Sequence, residues 1–131
     1  AAGWARRVWT FHEGADVQLF RPPSAAAAEA DLVWVGNWGD DERTRELDEF
    51  LFGPVRALGF GGSVYGVRYP EGGGQAVAQA GLVYRGWLPN TRVPQVFARH
   101  RVTVHVPRRP YARALPGVPT IRLFGALASG T

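Results

Sequence analysis

The sequence contains no cysteine, which excludes a disulfide framework, a thiol nucleophile and a thiolate metal site. All 15 of its basic residues are arginine. No uninterrupted apolar run approaches the ~20 residues that cross a bilayer. The sequence also lacks the pattern of an export signal, which is a charged start followed by an apolar stretch and a small-residue cleavage site. We therefore expect a soluble, cytoplasmic protein without a membrane span.

Acidic residues are missing from the second half of the chain. All 11 lie at or before Glu71, so the net charge is −4 over residues 1–71 and +8 over residues 72–131. Because guanidinium groups form planar forks that match phosphate oxygens, the second half suits a nucleotide diphosphate, a nucleic acid or an acidic partner. The alternative is that a GC-rich genome uses arginine for solubility, since charge asymmetry alone specifies no ligand.

The patterning is that of one globular domain in which strands alternate with helices. Its 131 residues, 46% hydrophobic and 12% aromatic, are enough for a single core. Leu32–Val35 is a continuous apolar run, as expected for a strand covered on both faces of a parallel sheet. The pattern predicts strands at 7–11, 32–35, 63–67, 82–84 and 102–106, and helices after Asp40, over 75–80, after Pro94 and after Pro119.

The helix predicted after Asp40 is amphipathic. Asp40 is placed to cap it, and apolar residues recur at spacings of three and four. Pro54 cannot donate to the carbonyl four residues earlier, so we expect a kink or a new turn near Phe52-Gly53. The residues predicted to face the core are Leu47, Phe50, Leu51, Val55 and Leu58.

The last predicted helix begins after Pro119, turns Ile121, Phe124 and Leu127 to one face, and ends at Gly130. Alternating strands and helices predict an α/β fold with a Rossmann-like, doubly wound parallel sheet. In such sheets ligands bind beyond the carboxyl ends of the strands. The loops expected there are 36–39, 66–69, 86–89 and 107–111.

Several segments together resemble a known family. They are His12–Asp16, Val35–Trp38, Tyr84–Pro89 and Phe124–Gly130, and their order resembles the C-terminal half of a GT-B glycosyltransferase. More narrowly, Gly36–Arg43 and Pro116–Arg122 are similar to the CgeB-like, spore-protein group of glycosyltransferase-like proteins. The similarity covers nearly the whole chain, and its specificity lies in the order and spacing of the motifs.

The resemblance implies a Rossmann-like domain that binds a UDP-, GDP- or TDP-sugar, with an N-terminal acceptor domain across a cleft. It implies no bound metal, because helix-end amides and basic side chains stabilise the departing diphosphate. It also brings His12 and the Glu13-Gly14 turn near that cleft. Catalytic residues are not assigned. The candidate nucleotide-sugar site comprises Gly36, Asn37, Trp38, Arg43, Arg68, Trp87, Leu88, Arg108, Arg109, Tyr111, Gly117 and Thr120.

The sequence departs from that family at two positions. Related retaining enzymes carry one glutamate at the start of the final loop-helix unit and another eight residues later, and here these positions are Gly117 and Gly125. Losing a carboxylate that accepts ribose hydrogen bonds costs about 1 to 3 kcal/mol. The family pattern also continues beyond Thr131. We therefore expect residues 1–131 to be a single partial domain, with a sheet incomplete at its C-terminus, that by itself binds rather than catalyses.

Other functions stay open at this stage. The basic second half fits a nucleic-acid-binding module, ranked lower because its aromatic residues do not form a stacking motif. The two glycines fit a degenerate interaction domain. Arg43 is also placed to pair with Asp40, and Trp38 and Trp87 also fit packing roles. We interpret His100 and His105 as structural, and the acids of residues 40–49 as a solvated helix face.

Overall fold

The structure is a computed structural model of the 131-residue chain, and it describes residues 3, 6–9, 11–23, 28–39, 41–114 and 116–131. Four strands form its sheet: β1 (Ala30–Val35), β2 (Gly62–Tyr65), β3 (Leu82–Tyr84) and β4 (His100–Thr103). The helices are α1 (Thr44–Leu47), a π-helical segment (Asp48–Phe52), α2 (Gly53–Leu58), α3 (Gly73–Gln79), a 3₁₀ turn (Asn90–Arg92), α4 (Val93–Phe97), α5 (Arg109–Ala114) and α6 (Ile121–Ala128).

The sheet is parallel throughout and has the strand order β3-β2-β1-β4. The chain adds β2 and β3 on one side of β1, then returns through α4 to add β4 on the other side. This reversal is the mark of a doubly wound, Rossmann-like sheet. The predicted fold class is therefore confirmed.

Strand β1 is buried on both faces, as its continuous apolar run predicts. Leu32 and Trp34 pack into a core that includes Leu47, Leu51, Phe52, Val55, Val64 and Val77, beneath α1 to α3. Val33 and Val35 face the opposite side and pack with Val93, Phe97 and Ala126, beneath α4 and α6. Alternate residues thus serve the two cores.

The predicted break at Pro54 takes the form of the π-helical segment, which ends at Phe52 just before α2. The segment changes the helical period, because its hydrogen bonds span five residues instead of four. The inward face therefore shifts: Phe52 is buried, whereas Phe50 and Leu58 are exposed, contrary to prediction. The predicted cap Asp40 lies outside the described residues.

Three other elements differ from prediction. Residues 7–9 and 11 form no strand, since they pair with no described neighbour, and Thr10 lies outside the described residues. Strand β4 begins and ends earlier than the predicted 102–106. The predicted loop 107–111 becomes helical from Arg109.

Helix α6 turns a different face inward from the one predicted. Ile121 and Leu127 are exposed, while the buried positions are Gly125, Ala126 and Ser129. Gly130 follows the helix with a φ of 78°, so it ends the helix as predicted. Within the described ranges, no helix combines the length and apolarity required to cross a membrane.

Phe20 explains why glycine occupies position 125. The carbonyl of Asp16 accepts the amides of Leu19 and Phe20 at 3.0 and 2.7 Å, forming a turn that presents the Phe20 ring. A β-carbon on Gly125 would lie 2.8 Å from Cε1 of that ring, closer than real contacts allow. Glycine at this position therefore lets the turn at 16–20 pack directly on α6.

Gly125→Ala is expected to destabilise the protein. Overpacking against Phe20 costs about 1–3 kcal/mol, which outweighs the gain of about 1 kcal/mol in helix propensity. Gly74→Ala is the matched control, because a β-carbon at Gly74 within α3 meets nothing within 4 Å. Urea denaturation should show Gly74→Ala raising the free energy of unfolding and Gly125→Ala lowering it. Equal effects of the two substitutions would contradict the packing account.

Candidate anion-binding site at the carboxyl edge of the sheet

A cavity of about 330 Å³ lies where β1 and β4 end. Its walls include residues that follow β1 (Asn37 and Gly39) and residues that follow β4 (104–108). These two strands are adjacent, and the helix that follows β1 (α1) and the helix that leads into β4 (α4) pack on opposite faces of the sheet. The cavity therefore occupies the topological switch point, where the two diverging connections open a crevice in doubly wound sheets.

The loop after β1 is fixed by the loop after β2. The Asn37 Oδ1 atom accepts the Val67 amide at 3.1 Å, and the Gly36 amide donates to the Tyr65 carbonyl at 2.8 Å. A β-carbon on Gly66 would overlap the Gly36 carbonyl, so two backbones meet there directly. Asn37 thus holds the loop in place as well as lining the cavity.

Arg43, the residue before α1, is buried at the cavity wall and only 6% exposed. Its Nη1 atom donates to the Val106 carbonyl at 2.7 Å, and its guanidinium lies 5.5 Å from the Trp34 ring centroid. Burial lowers the pKa of Arg43. Among the residues that the structure describes, no carboxylate forms an ion pair with it.

Arg122 enters the cavity from the first turn of α6. Its Nη1 atom donates to the carbonyl of Val35, the last residue of β1. Burial lowers the pKa of Arg122 as well. Two guanidinium groups from opposite layers therefore converge at the end of β1; Arg43 is buried, whereas Arg122 keeps an exposed surface.

His105 lines the same cavity as these two cations. Its Nε2 atom is 3.5 Å from Oγ1 of Thr120, and the residue is half-buried. Burial, followed by the charges of Arg122 and Arg43, lowers the pKa of His105. The imidazole is therefore neutral around pH 7 in the unliganded protein.

Glu42 and Glu46 tie the segment after β4 to α1. Glu42 Oε2 accepts Nε and Nη2 of Arg108 at 2.9 and 2.5 Å, and its Oε1 accepts the Arg109 amide at 3.0 Å. Arg109 in turn donates to Glu46 at 2.8 and 3.2 Å. Glu42 and Glu46, which were predicted to belong to a solvated helix face, thus fix the position of Arg108 and Arg109.

The structure brings half of the predicted site residues to the cavity, namely Asn37, Arg43, Arg68, Arg108, Tyr111 and Thr120. Arg68 does so from a left-handed backbone with a φ of 60°, a strained conformation for a residue with a side chain.

The other half lies elsewhere. Gly36 contributes backbone contacts in the loop after β1, and Gly117 occupies an exposed turn with a φ of 80°. Trp38 is buried in the core, where its Nε1 donates to Thr44 Oγ1 at 2.9 Å. Trp87 is 71% exposed after β3, and Leu88 packs against the core beneath α4. Arg109 is bound to Glu46.

Three titratable lining residues are absent from the predicted set: Glu13, His105 and Arg122. Glu13 belongs to the turn that the resemblance places near a cleft. The sequence position of Arg122 could have predicted its place in the site. It is a basic residue in the first turn of a helix that follows a strand and a loop, and such sheets bind anions there. His105 had no such signal, since its strand pattern is that of a buried residue.

No group of three or more metal-ligating side chains that could hold an ion occurs among the described residues.

A family model described as glycosyl transferase-like matches residues 43–131, more than half of the chain. The matched region contains Arg43, Arg68, His105, Arg108, Thr120 and Arg122. No curated protein and no solved structure matches the chain.

Glu42→Gln should loosen the segment that begins α5. The Arg108 guanidinium holds the pKa of Glu42 below its ordinary value, so the contact is complete above the usual carboxyl pKa of about 4.3. It is lost as the pH falls through the lowered value. Hydrogen exchange at the Arg109 amide should speed up in Glu42→Gln at neutral pH. Glu49→Gln, an exposed position of the adjoining π-helical segment, is the control and should leave this amide unchanged; equal protection in both variants would contradict the clamp.

Proposed function

The chain belongs to the glycosyl transferase-like family, and on that premise we propose that the cavity binds the diphosphate of a nucleotide-sugar donor for glycosyl transfer. A cavity of about 330 Å³ is at the low end of the range for small-molecule pockets. This size suits the diphosphate rather than the whole nucleotide sugar. The remainder of the donor would extend from the cavity over the neighbouring loops.

The observation that carries this proposal is the buried guanidinium of Arg43. A buried charge costs free energy unless a partner of opposite charge compensates it. The two carbonyls that Arg43 contacts, of Trp38 at 3.4 Å and Val106 at 2.7 Å, supply dipoles and no net charge. Glu42 attracts Arg43 through space, and an anionic ligand in the cavity would add a direct partner of opposite charge.

Arg122 strengthens the argument because it approaches the same space from the other helical layer. Among the described residues, its side chain makes one hydrogen bond, to the Val35 carbonyl, which leaves further N–H donors of the guanidinium for a ligand. Arg68 and Arg108 line the cavity too, the second with its guanidinium paired to Glu42. Planar forks of this kind match phosphate oxygens in pairs.

The chemistry that these groups support is stabilisation of a leaving group. In glycosyl transfer the bond between the anomeric carbon and the diphosphate oxygen breaks, and the electron pair goes to the diphosphate. Arg43 and Arg122 are held in place before the ligand arrives, so they stabilise the developing charge without reorganising. The attacking hydroxyl belongs to the acceptor.

We further propose that residues 1–131 form a donor-binding domain of the GT-B kind, related to the CgeB-like group. The parallel sheet and the cavity at its switch point support this proposal. An acceptor domain would then face the cavity mouth, on the side where Glu13 lies.

Arg122→Gln and Arg43→Gln should each weaken the binding of UDP and UDP-glucose about tenfold or more. A hydrogen bond to a charged group contributes about 1.5–3 kcal/mol, which corresponds to that factor. Isothermal titration calorimetry of the folded variants measures the loss. Arg45→Gln is the matched control, because Arg45 is exposed on α1 two residues from Arg43 and should leave the affinity unchanged.

Two results would contradict the proposal. One is the absence of any binding of nucleoside diphosphates or sugar nucleotides at millimolar concentration by folded protein. The other is an equal loss of affinity in Arg45→Gln, which would indicate a diffuse electrostatic effect. Steeply salt-dependent binding of oligonucleotides in place of sugar nucleotides would instead favour the nucleic-acid reading of the basic half.

A further inference from the structure

We propose that His105 takes up a proton when a diphosphate enters the cavity and then donates a hydrogen bond to it, so that ligand binding is coupled to pH. This inference rests on the proposed function, because it concerns the same anion. It assigns a binding role to a residue whose sequence context indicates only packing.

The position of His105 makes this role possible. It lies two residues beyond Thr103, the end of β4, and it lines the cavity with Arg43 and Arg122. Its Nε2 atom contacts Thr120 Oγ1 at 3.5 Å, the outer limit of a hydrogen bond. Thr120 is the N-cap residue of α6, but its side chain makes no capping hydrogen bond. Among the described residues, neither group therefore has a strong partner that a ligand would have to displace.

Four arginines line the cavity together with His105, and they come from different segments of the chain. Arg122 lies on α6, Arg43 precedes α1, Arg68 follows β2 and Arg108 precedes α5. Two more titratable groups line the same cavity: Glu13, from the N-terminal segment, and Tyr111, from α5. In the unliganded cavity the cations disfavour a further positive charge, and burial acts in the same direction.

A diphosphate reverses this balance. Its negative charge offsets Arg43 and Arg122 and adds an acceptor for an imidazolium N–H, so the pKa of His105 rises on binding. A group whose pKa is higher in the complex than in the free protein takes up a proton between the two values. Affinity should then increase as the pH falls through the bound pKa and level off below the free pKa.

UDP-glucose is the suitable probe, because both phosphates are esterified and the terminal phosphate ionisation near pH 6 is absent. Titration calorimetry at pH 6 and pH 8, in two buffers of different ionisation enthalpy, measures both affinity and protons taken up. We expect several-fold tighter binding at pH 6, within the limit of tenfold per pH unit that one proton allows. His105→Gln retains hydrogen-bonding capacity but cannot be charged, and it should bind with little dependence on pH.

His100→Gln is the matched control. His100 begins β4 and its Nδ1 contacts the Val96 carbonyl at 2.7 Å, outside the cavity lining. This variant should keep the pH dependence of the unmodified protein. The His105 ring proton of the unmodified protein, followed by NMR with and without UDP-glucose, gives a second measurement that does not depend on the variants folding.

The outcomes separate the two proposals. Binding with the same affinity at both pH values and no proton uptake overturns the role of His105 and leaves the diphosphate site intact. If the affinity of folded His105→Gln for UDP-glucose still depends on pH, the role of His105 is also overturned. Failure of the folded protein to bind UDP-glucose at any pH overturns the proposed function and this inference together.

Discussion

Strand β1 is hydrogen-bonded along both edges and covered on both faces, and the anion site is positioned from its carboxyl end. Val33 lies opposite Ser63 on one side and Thr103 on the other, and Thr103 Oγ1 also donates to the Val33 carbonyl at 2.7 Å. At the end of the strand, the Val35 carbonyl receives Arg122. Because β1 is constrained in every direction, the loop that follows it holds a defined position relative to β4.

The cost of this arrangement is a cluster of cations in a partly desolvated space. Arg122 donates to the carbonyl of Val35 at the end of β1, and Arg43 donates to the carbonyl of Val106 in the loop after β4. These contacts hold the guanidinium groups in place without adding a net negative charge, and Glu42 attracts Arg43 through space. Such sites keep charged groups ready for a ligand at some expense of stability, which is the usual relation between a functional site and its scaffold.

The acids of the first half and the arginines of the second half also form ion pairs with each other. Within the part of the chain that the structure describes, ion pairs join an acid of the first half to an arginine of the second: Glu29 with Arg99, Asp31 with Arg101, Glu42 with Arg108 and Glu46 with Arg109. Exposed pairs of this kind each contribute little stability, about 0–1 kcal/mol. Their effect at α5 is geometric, because they fix the position of the segment that follows β4. The excess of arginine therefore serves both the fold and the site.

The sequence by itself determined the fold class and the edge of the sheet at which the site lies. The apolar run at Leu32–Val35 required a strand buried on both faces, and strand-helix alternation required a parallel sheet whose loops gather at one edge. Pro54 likewise required a break in its helix, since a missing N–H cannot be replaced. These features depend on local periodicity and on covalent structure.

Only the tertiary structure decided which side chains meet in the cavity. Because of the π-helical segment, Phe52 is buried in the core and the predicted Phe50 is exposed. The packing of Phe20 on Gly125 determines which face of α6 turns inward. Trp38, which sequence placed with the ligand, is buried beside Phe52, whereas His105 and Arg122 line the cavity. The physical reason is that a side chain's direction depends on helix phase, strand length and packing partners distant in sequence, and none of these is encoded in the local pattern.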